Sequence, residues 1–316
     1  MQSVTKKRVG ILRGGEGENY HSSLRKGGEI LSHITENLAE KWKAYDVLVD
    51  KDGVWHMGGV PIQPADLMHR VEVVWNTANP GLSVTLKNLS IPYVGQEHFH
   101  GVLEDSKEML QRHMQKIGLD MPRSLVIPLY QEDFDARPTE QSFGRGPIYE
   151  YAIKKAKEVH EKFPAPWMVK SYTLDRNMGI HLAKTFSELV DAIQDGVKHQ
   201  KSILVEEFIS GKIASVHSVP AFRGEDVYTF PLGNTFGIFS LAEKEKLALL
   251  AKKLHQHIGA GHYLKSDFIL NSRGKVYLLQ IESTPDLKPD SHLSESCKLS
   301  GAKMRDLVDH ILGSAN

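Results

Sequence analysis

A short segment near the carboxyl end of the chain groups side chains that suit metal and phosphate chemistry. Lys265–Asn271 (KSDFILN) is followed by turn-forming residues and then by Lys275–Pro285 (KVYLLQIESTP), which predicts a β-hairpin. Gln280 and Glu282 lie two positions apart, so they leave the same face of their strand, and a favourable register brings Asp267 opposite them. Oxygen ligands that converge in this way suit Mg²⁺, which prefers few protein ligands together with nucleotide phosphates.

The alternative for this segment is a solvated sheet face, which is the common reason for isolated polar residues on a strand. The strand that carries Gln280 and Glu282 is otherwise apolar, with Val276, Leu278 and Ile281. A polar pair on an apolar strand favours a site over a solvated face.

The hairpin and the residues that follow it resemble a signature of the D-alanine–D-alanine ligases. That signature runs Arg-x-Asp, then Glu-x-Asn-Thr-x-Pro-Gly-Met and a downstream Ser. Here it is matched by Lys265-x-Asp267, by Gln280 through Pro285 and by Ser291. Further matches follow in the family's order along the chain, namely Gly14–Gly15 with Ser23, Leu24 and Gly27, Ser106–Lys107, Met168–Lys170 and Ile203–Gly211 (ILVEEFISG).

The resemblance implies a fold and a reaction. The fold is a three-domain ATP-grasp fold of the α/β class, α+β in the ATP-grasp part, with an amino-terminal Rossmann-like domain built on a parallel sheet. The reaction is the ATP-dependent joining of a carboxylate to an amine, a step of peptidoglycan synthesis in this family. A carboxylate attacks the γ-phosphate to give an acyl phosphate, and an amine then displaces phosphate.

The resemblance also assigns roles to individual residues. Lys265 would be catalytic, stabilising the acyl phosphate and the tetrahedral stage, and Asp267, Gln280 and Glu282 would hold magnesium. Glu206 or Glu207 would accept from the adenine amino group. The full nucleotide-binding set is Lys107, Lys170, Arg176, Glu206, Glu207 and Ile209. The first amino acid would lie near Asn19, Ser23 and Asn76, and the second near Ser291.

Several of these positions depart from the family pattern. Where the family has a metal-bridging glutamate this chain has Gln280, and where the family has an asparagine it has Glu282. The formal charge of the set is unchanged, but the amide oxygen of Gln280 is a poor bridge between two cations. At the first substrate position the family has a glutamate and a histidine, where this chain has Asn19 and Asn76. A substrate ammonium therefore loses its carboxylate partner. The lid region between Phe222 and Leu247 is too short for the family's closing segment. We therefore expect slow ligation, a leaky ATPase, a bulkier substrate or no turnover.

Two alternatives to a working ligase stay open. One is an ATP-grasp relative that binds nucleotide, or has lost it, without catalysis. The other is a nicotinamide-dependent oxidoreductase, suggested by the βαβ-like start of the chain. Gly14–Gly15–Glu16–Gly17 is not the GxGxxG pattern that binds dinucleotides, so the oxidoreductase is the weaker alternative.

Composition limits the partners of the chain. Lysine plus arginine equals aspartate plus glutamate, 39 each, so there is no net charge to attract nucleic acid or an anionic membrane. The single cysteine, Cys297, cannot form an intrachain disulfide, and the start of the chain lacks the apolar stretch of a signal peptide. We expect a cytoplasmic protein with an ATP substrate, magnesium and a small amino-acid substrate, and the resemblance implies a homodimer.

The pattern of predicted elements fits three domains, at 1–100, 101–206 and 207–316. In the first, strands at Arg8–Leu12 and Tyr45–Val49 alternate with a helix from about Ser22 to Lys41, which predicts a doubly wound parallel sheet. Asp105 followed by Glu108 predicts a capped helix start, and so does Thr185 followed by Glu188. The later segments predict strands at 124–127, 167–171, 203–209, 214–222, 265–270 and 276–281, and helices at 241–257 and 302–312.

Overall fold

The amino-terminal part of the chain forms a sheet whose central strands are parallel. A computed structural model describes residues 5–16, 19–95, 97–128, 146–172, 179–199, 202–233 and 237–315. The sheet has six strands in the order β4-β3-β2-β1-β5-β6. They are β1 (Lys7–Gly14), β2 (Trp42–Val49), β3 (Trp55–Met57), β4 (Val60–Ile62), β5 (Val73–Asn76) and β6 (Tyr93–Gly95). The pairs of β1 with β2, β1 with β5 and β5 with β6 are parallel, while β3 and β4 add an antiparallel edge.

Strand β1 is buried on both faces, as expected of a central parallel strand. Val9 and Ile11 face one core cluster, whereas Leu12 faces another. The first cluster also holds Ile30 and Ile34 of helix α1 (Tyr20–Asn37). Burial of such side chains contributes about 1.5–3 kcal/mol each. The packing of β1 against α1 thereby positions Asn19 and Ser23, two of the residues predicted to bind the first substrate.

Three shorter helices follow the amino-terminal strands. They are α2 (Leu82–Asn88), α3 (His98–Asp105) and α4 (Lys107–Lys116). The predicted start of α4 at Asp105 is wrong by one residue, because the side chain of Ser106 caps the helix by accepting from the backbone N–H of Met109 at 3.3 Å. Asp105 ends α3 instead, since two helices meet where the sequence predicts one start.

A second, antiparallel sheet follows in the order β7-β10-β8-β9. Its strands are β7 (Ser124–Ile127), β8 (Trp167–Ser171), β9 (His181–Ala183) and β10 (Ile203–Glu207). Helices α5 (Pro147–Lys162) and α6 (Phe186–Lys198) share an apolar cluster with this sheet. The predicted capping box at Thr185 and Glu188 is confirmed at the start of α6. Helix α5 was not predicted from the sequence. The polar, turn-rich stretch 131–147 before it is typical of a loop, and residues 131–145 lie outside the described residues.

The carboxyl-terminal sheet is antiparallel throughout, in the order β12-β11-β13-β14. Its strands are β11 (Gly211–Pro220), β12 (Val227–Thr229), β13 (Leu264–Asn271) and β14 (Val276–Glu282), accompanied by α7 (Leu241–Ile258), α8 (His292–Leu299) and α9 (Met304–Gly313). The predicted hairpin is therefore confirmed as β13 and β14. Helix α7 ends at Gly259, whose backbone is left-handed at φ 72°, the conformation that favours glycine at this position.

The chain divides into two compact units, Met1–Asp120 with Gly211–Asn316 (the larger unit) and Met121–Ser210 (the smaller unit). In the larger unit Leu307 and Val308 of α9 share a core cluster with Val9 and Ile11 of β1. The first and last sheets thus belong to one packed body. The predicted α/β fold class is confirmed, whereas the three domain boundaries stay a prediction. Among the described residues no helix is both long and apolar enough to span a membrane.

A buried histidine, His255, and a half-buried one, His262, predict a loss of stability in acid. Burial lowers the pKa of His255 and of His262 to about 4, below the value of about 6.5 for an unfolded chain. Between these pKa values the unfolded chain binds more protons than the folded chain. The contribution of the two histidines to the free energy of unfolding is therefore fully present above pH 6.5 and falls as the pH drops toward 4. We expect each histidine to remove about 1.4 kcal/mol of unfolding free energy per pH unit in this window, measured by urea unfolding.

Glutamine at position 255 tests this prediction. His255→Gln is expected to reduce the slope of unfolding free energy against pH, while His69→Gln, at an exposed position, leaves it unchanged. An equal slope in the wild type and in His255→Gln would show that other groups carry the acid sensitivity.

Candidate functional site

The β13–β14 hairpin brings the predicted catalytic and metal-binding side chains together. In its register Lys265 pairs with Glu282 and Asp267 pairs with Gln280. A bulge between Asp267 and Phe268 shifts the register beyond this point. Lys265 and Asp267 lie two positions apart, as do Gln280 and Glu282, so the four side chains share one face, while Phe268 is fully buried. The predicted convergence of Asp267, Gln280 and Glu282 is confirmed, and Lys265 lies beside them.

Each oxygen of the Asp267 carboxylate accepts from a neighbouring side chain. Ser215 of β11 donates from Oγ to Oδ1 at 2.5 Å, and the amide Nε2 of Gln280 donates to Oδ2 at 2.7 Å. Lys265 Nζ lies 3.1 Å from the same Oδ2 and 3.4 Å from Oε2 of Glu282, so its ammonium bridges the two acids. Asp267 is largely buried, which makes these contacts strong.

The second carboxylate oxygen of Glu282 accepts a hydrogen bond from a residue that the sequence analysis did not assign to the site. Lys26 of helix α1 donates from Nζ to Oε1 of Glu282 at 2.6 Å. The two residues are 256 positions apart in the chain. In the segment SLRKG, Lys26 directly precedes Gly27, where the family pattern SLxSG has serine. A lysine in that place was the only signal available in the sequence.

Charges in this group determine the protonation of its members. Burial opposes the charge on Lys265, but Asp267 and Glu282 outweigh it and raise the pKa of Lys265 above its ordinary value. Burial likewise opposes the charge on Glu282, but Lys26 and Lys265 outweigh it and lower the pKa of that carboxyl. Both shifts favour the charged forms, so the group consists of two cations and two anions.

The donor set of this group does not fit a divalent cation in the described arrangement. A cation held by Asp267 and Glu282 needs carboxylate oxygens with open lone pairs and an amide oxygen from Gln280. Here lysines, a hydroxyl and an amide N–H occupy the carboxylate oxygens. Over the part of the chain that the structure describes, no group of three or more His, Cys, Asp or Glu side chains is placed to hold a metal. The role of these residues as magnesium ligands stays a prediction that this donor set disfavours.

Beside the acid–lysine group, strand β11 contributes a buried histidine. His217 pairs in register with Lys265, and its Nδ1 lies 2.7 Å from the hydroxyl of Tyr263. Burial lowers the pKa of His217 to about 3, with the charge of Lys265 acting in the same direction. His217 is therefore neutral at physiological pH, and it adds no third positive charge next to Lys265.

Lys107 lies in the same unit as this group, at the first position of α4. Its Nζ donates to the backbone oxygen of Leu279 on β14. This contact joins α4 to the strand that carries Gln280 and Glu282. A role for Lys107 at a nucleotide phosphate stays a prediction, and it requires the side chain to exchange this partner.

The smaller unit holds the other predicted nucleotide-binding residues. Lys170 of β8 lies diagonally across from Glu206 of β10, with Nζ 2.7 Å from Oε2. The Glu206 side chain is 7% exposed and that of Lys170 is 30% exposed. Glu207 points the other way and pairs with Arg123 at 2.9 Å. Ile209 follows β10 and is partly exposed, whereas Arg176 lies outside the described residues.

The predicted substrate-binding residues already make contacts within the larger unit. Ser23 is buried, and its Oγ accepts from the backbone N–H of Gly14 at 2.9 Å. Asn76 is fully buried, with Oδ1 accepting from the N–H of Ala78 at 3.0 Å. The side chain of Asn19 bonds the carboxyl of Asp105.

Ser291 caps helix α8. Its Oγ accepts from the backbone N–H of Ser294 at 3.1 Å and donates to the backbone carbonyl oxygen of Asp286 at 2.9 Å. The substrate roles of Asn19, Ser23, Asn76 and Ser291 stay predictions, because each side chain also serves the local structure.

The predicted lid region contains ordinary sheet and helix where it is described. Tyr228 lies on β12, and its ring centroid is 5.3 Å from that of Phe222 and 4.9 Å from that of Phe230. These contacts place Tyr228 in the packing of the sheet. Among residues 222–233 and 237–247 no long closing segment is present.

Comparison with known proteins relates the chain to one family along its whole length. Residues 141–220 match the family described as the D-ala D-ala ligase C-terminus. A D-alanine–D-alanine ligase of Geotalea uraniireducens is 25% identical over 98% of this chain and 96% of its own length.

Solved structures with the same fold belong to this family as well. The D-alanine–D-alanine ligase of Coxiella burnetii matches with a TM-score of 0.72 and 16% identity, covering 98% of this chain and 95% of the other. The ligase of Bacillus anthracis, solved in complex with ATP, matches with a TM-score of 0.66 and 15% identity, covering 98% and 96%. The resemblance that the sequence motifs indicate is confirmed, and so is the ATP-grasp fold.

Proposed function

We propose that this divergent member of the D-alanine–D-alanine ligase family is an ATP-dependent carboxylate–amine ligase that works through an acyl phosphate. The observation that carries the proposal is the convergence of Lys265, Asp267 and Glu282 on one hairpin of a chain that aligns with these ligases from end to end. A relative that had lost the reaction has no need to keep a charged lysine between a largely buried acid and a half-buried one, because isolated buried charges are costly.

The reaction transfers a phosphoryl group and then replaces it. An oxygen of the first substrate's carboxylate attacks the γ-phosphorus of ATP, and the bond to ADP breaks. The neutral amine of the second substrate then attacks the acyl carbon, inorganic phosphate leaves with the bonding electrons, and the proton lost by the nitrogen goes to the phosphate. Negative charge develops on the acyl oxygen in the second step, and the ammonium of Lys265 is the group that stabilises it.

The nucleotide-binding roles are proposed residue by residue within each unit. In the smaller unit, Glu206 accepts from the adenine amino group, Lys170 binds phosphate oxygens, and the backbone near Ile209 contacts the ring edge. Arg176 adds positive charge for the phosphates, and Glu207 stays the alternative to Glu206. In the larger unit, Lys107 neutralises phosphate charge after leaving the oxygen of Leu279. Magnesium enters as the counter-ion of the nucleotide, and we assign no step to it.

For the substrates we propose amino acids, with the first near Asn19, Ser23 and Asn76 and the second near Ser291. The amide of Asn19 replaces the family's carboxylate, so the first substrate differs from the usual one or binds its ammonium through Asp105, which bonds Asn19. A homodimer formed through the amino-terminal region is part of the same proposal.

Calorimetric titration of ATP with magnesium, followed by phosphate release with and without D-alanine, tests this function. Binding together with D-alanine-stimulated phosphate release and a dipeptide detected by mass spectrometry is the expected result. Binding without stimulation for any of a panel of D- and L-amino acids would favour a nucleotide-binding relative. Absence of ATP binding would overturn the proposal.

A further inference from the structure

Lys26 is less exposed than is usual for a lysine on a helix that packs against a sheet. It lies three residues after Ser23 on α1, and its side chain is only 18% exposed. Its neighbour Arg25 is 49% exposed and pairs with Glu29 on the helix surface. Lys26 instead turns to the hairpin and binds Glu282 at 2.6 Å. One helix thus carries one ordinary surface cation and one cation directed into the proposed reaction centre.

The charges around Glu282 are already balanced. Asp267 and Glu282 contribute two negative charges, and Lys26 and Lys265 contribute two positive charges. Oε1 of Glu282 binds Lys26 and Oε2 binds Lys265, so neither oxygen is available without displacing an ammonium. A divalent cation on Glu282 would also lie within a few ångströms of these ammonium groups and be repelled by them.

We propose that the ammonium of Lys26 takes the place of a divalent cation at Glu282, so the chain neutralises this side of its reaction centre with a fixed lysine charge. This inference rests on the proposed ligase function for its role in the reaction. Lys26 is a positioning residue, because it acts by holding Glu282 away from metal binding. The chain therefore needs no divalent cation beyond the one that accompanies the nucleotide.

The alternative is that Lys26 and Glu282 form a simple structural bridge between α1 and β14. The two interpretations differ in metal affinity. A structural bridge predicts that removing Lys26 lowers stability and leaves cation binding unchanged. Replacement of a cation predicts that removing Lys26 frees a carboxylate oxygen and strengthens cation binding relative to the wild type.

Titration of Mn²⁺ into the full-length protein without nucleotide distinguishes the two, with free Mn²⁺ followed by electron paramagnetic resonance. We expect Lys26→Met to bind Mn²⁺ roughly tenfold more tightly than the wild type, because one positive charge near the carboxylate is gone. Lys26→Arg retains the charge and is expected to behave as the wild type. Arg25→Met is the matched control, since it removes a cation from the same helix without touching Glu282.

Equal Mn²⁺ affinity in Lys26→Met and wild type, or an equal gain in Arg25→Met, would overturn the proposal. Should Lys26→Met fail to fold, Glu282→Gln gives a second test in the otherwise intact protein. The proposal expects this change to leave Mn²⁺ binding as it is, whereas a metal-ligating Glu282 predicts weaker binding. Because these measurements use neither ATP nor amino acids, their outcome is independent of whether the ligase assay succeeds.

Discussion

Replacing Lys265 with methionine is expected to lower the rate of amino-acid-stimulated phosphate release about a hundredfold, the usual effect of losing one donor to a developing oxyanion. Methionine keeps the length of the side chain and removes its charge. The loss should fall mainly on kcat, because Lys265 is proposed to act on charge that develops during the reaction and not on bound ground-state substrate. Steady-state kinetics with a coupled phosphate assay gives the measurement.

The same substitution should also destabilise the fold. Without Lys265, Asp267 and Glu282 lose the ammonium that bridges them, and one of the two acids is largely buried. Breaking a fully buried pair costs about 3–5 kcal/mol, and the partial exposure of Lys265 argues for about 2 kcal/mol here. Thermal unfolding of the variant separates this effect from the kinetic one.

Two further variants show whether the charge or the chemistry of Lys265 matters. Lys265→Arg keeps a positive charge between the acids and should retain most of the activity, since the family signature has arginine in this place. Lys275→Met removes an exposed lysine of the same hairpin, which pairs with Asp120, and should leave the rate unchanged. Full activity in folded Lys265→Met would remove Lys265 from the reaction.

The hairpin shows which part of the site was predictable from the sequence. The two-residue spacing of Gln280 and Glu282 fixes that they share a face, and the short turn predicts the pairing of their strand with Lys265–Asn271. These are local constraints, so the convergence of Asp267 and Gln280 was predicted for a favourable register of the hairpin, which the structure has. The bulge after Asp267 did not follow from spacing.

Lys26 shows what the sequence leaves open. Its contact with Glu282 joins residues 256 positions apart, and the position of α1 against β14 arises only after the sheet and its core are formed.

Ser291 is a similar case, because its hydroxyl was assigned to substrate from a motif and lies at the start of α8 as a cap. A serine before a helix serves either purpose, and sequence spacing does not separate them.

Replacing Lys170 with alanine is expected to weaken ATP binding by roughly tenfold or more, as measured by calorimetry. Lys170 is proposed to bind phosphate oxygens, and a lost charge-assisted contact of this kind exceeds the effect of an exposed lysine. In the structure its ammonium lies 2.7 Å from Glu206, so the nucleotide must draw Lys170 away from that carboxylate. Binding and stability are therefore coupled at this residue.

The coupling determines the controls for Lys170. Lys184→Ala removes an exposed lysine of the same unit and should not alter ATP affinity. Lys170→Ala also leaves the buried Glu206 carboxylate without its ammonium, which lowers stability by itself. Adding Glu206→Gln to Lys170→Ala removes that unbalanced charge, so the double variant should regain stability but not ATP affinity. If the double variant recovers both, Lys170 serves only to neutralise Glu206, and the phosphate contact belongs to another cation.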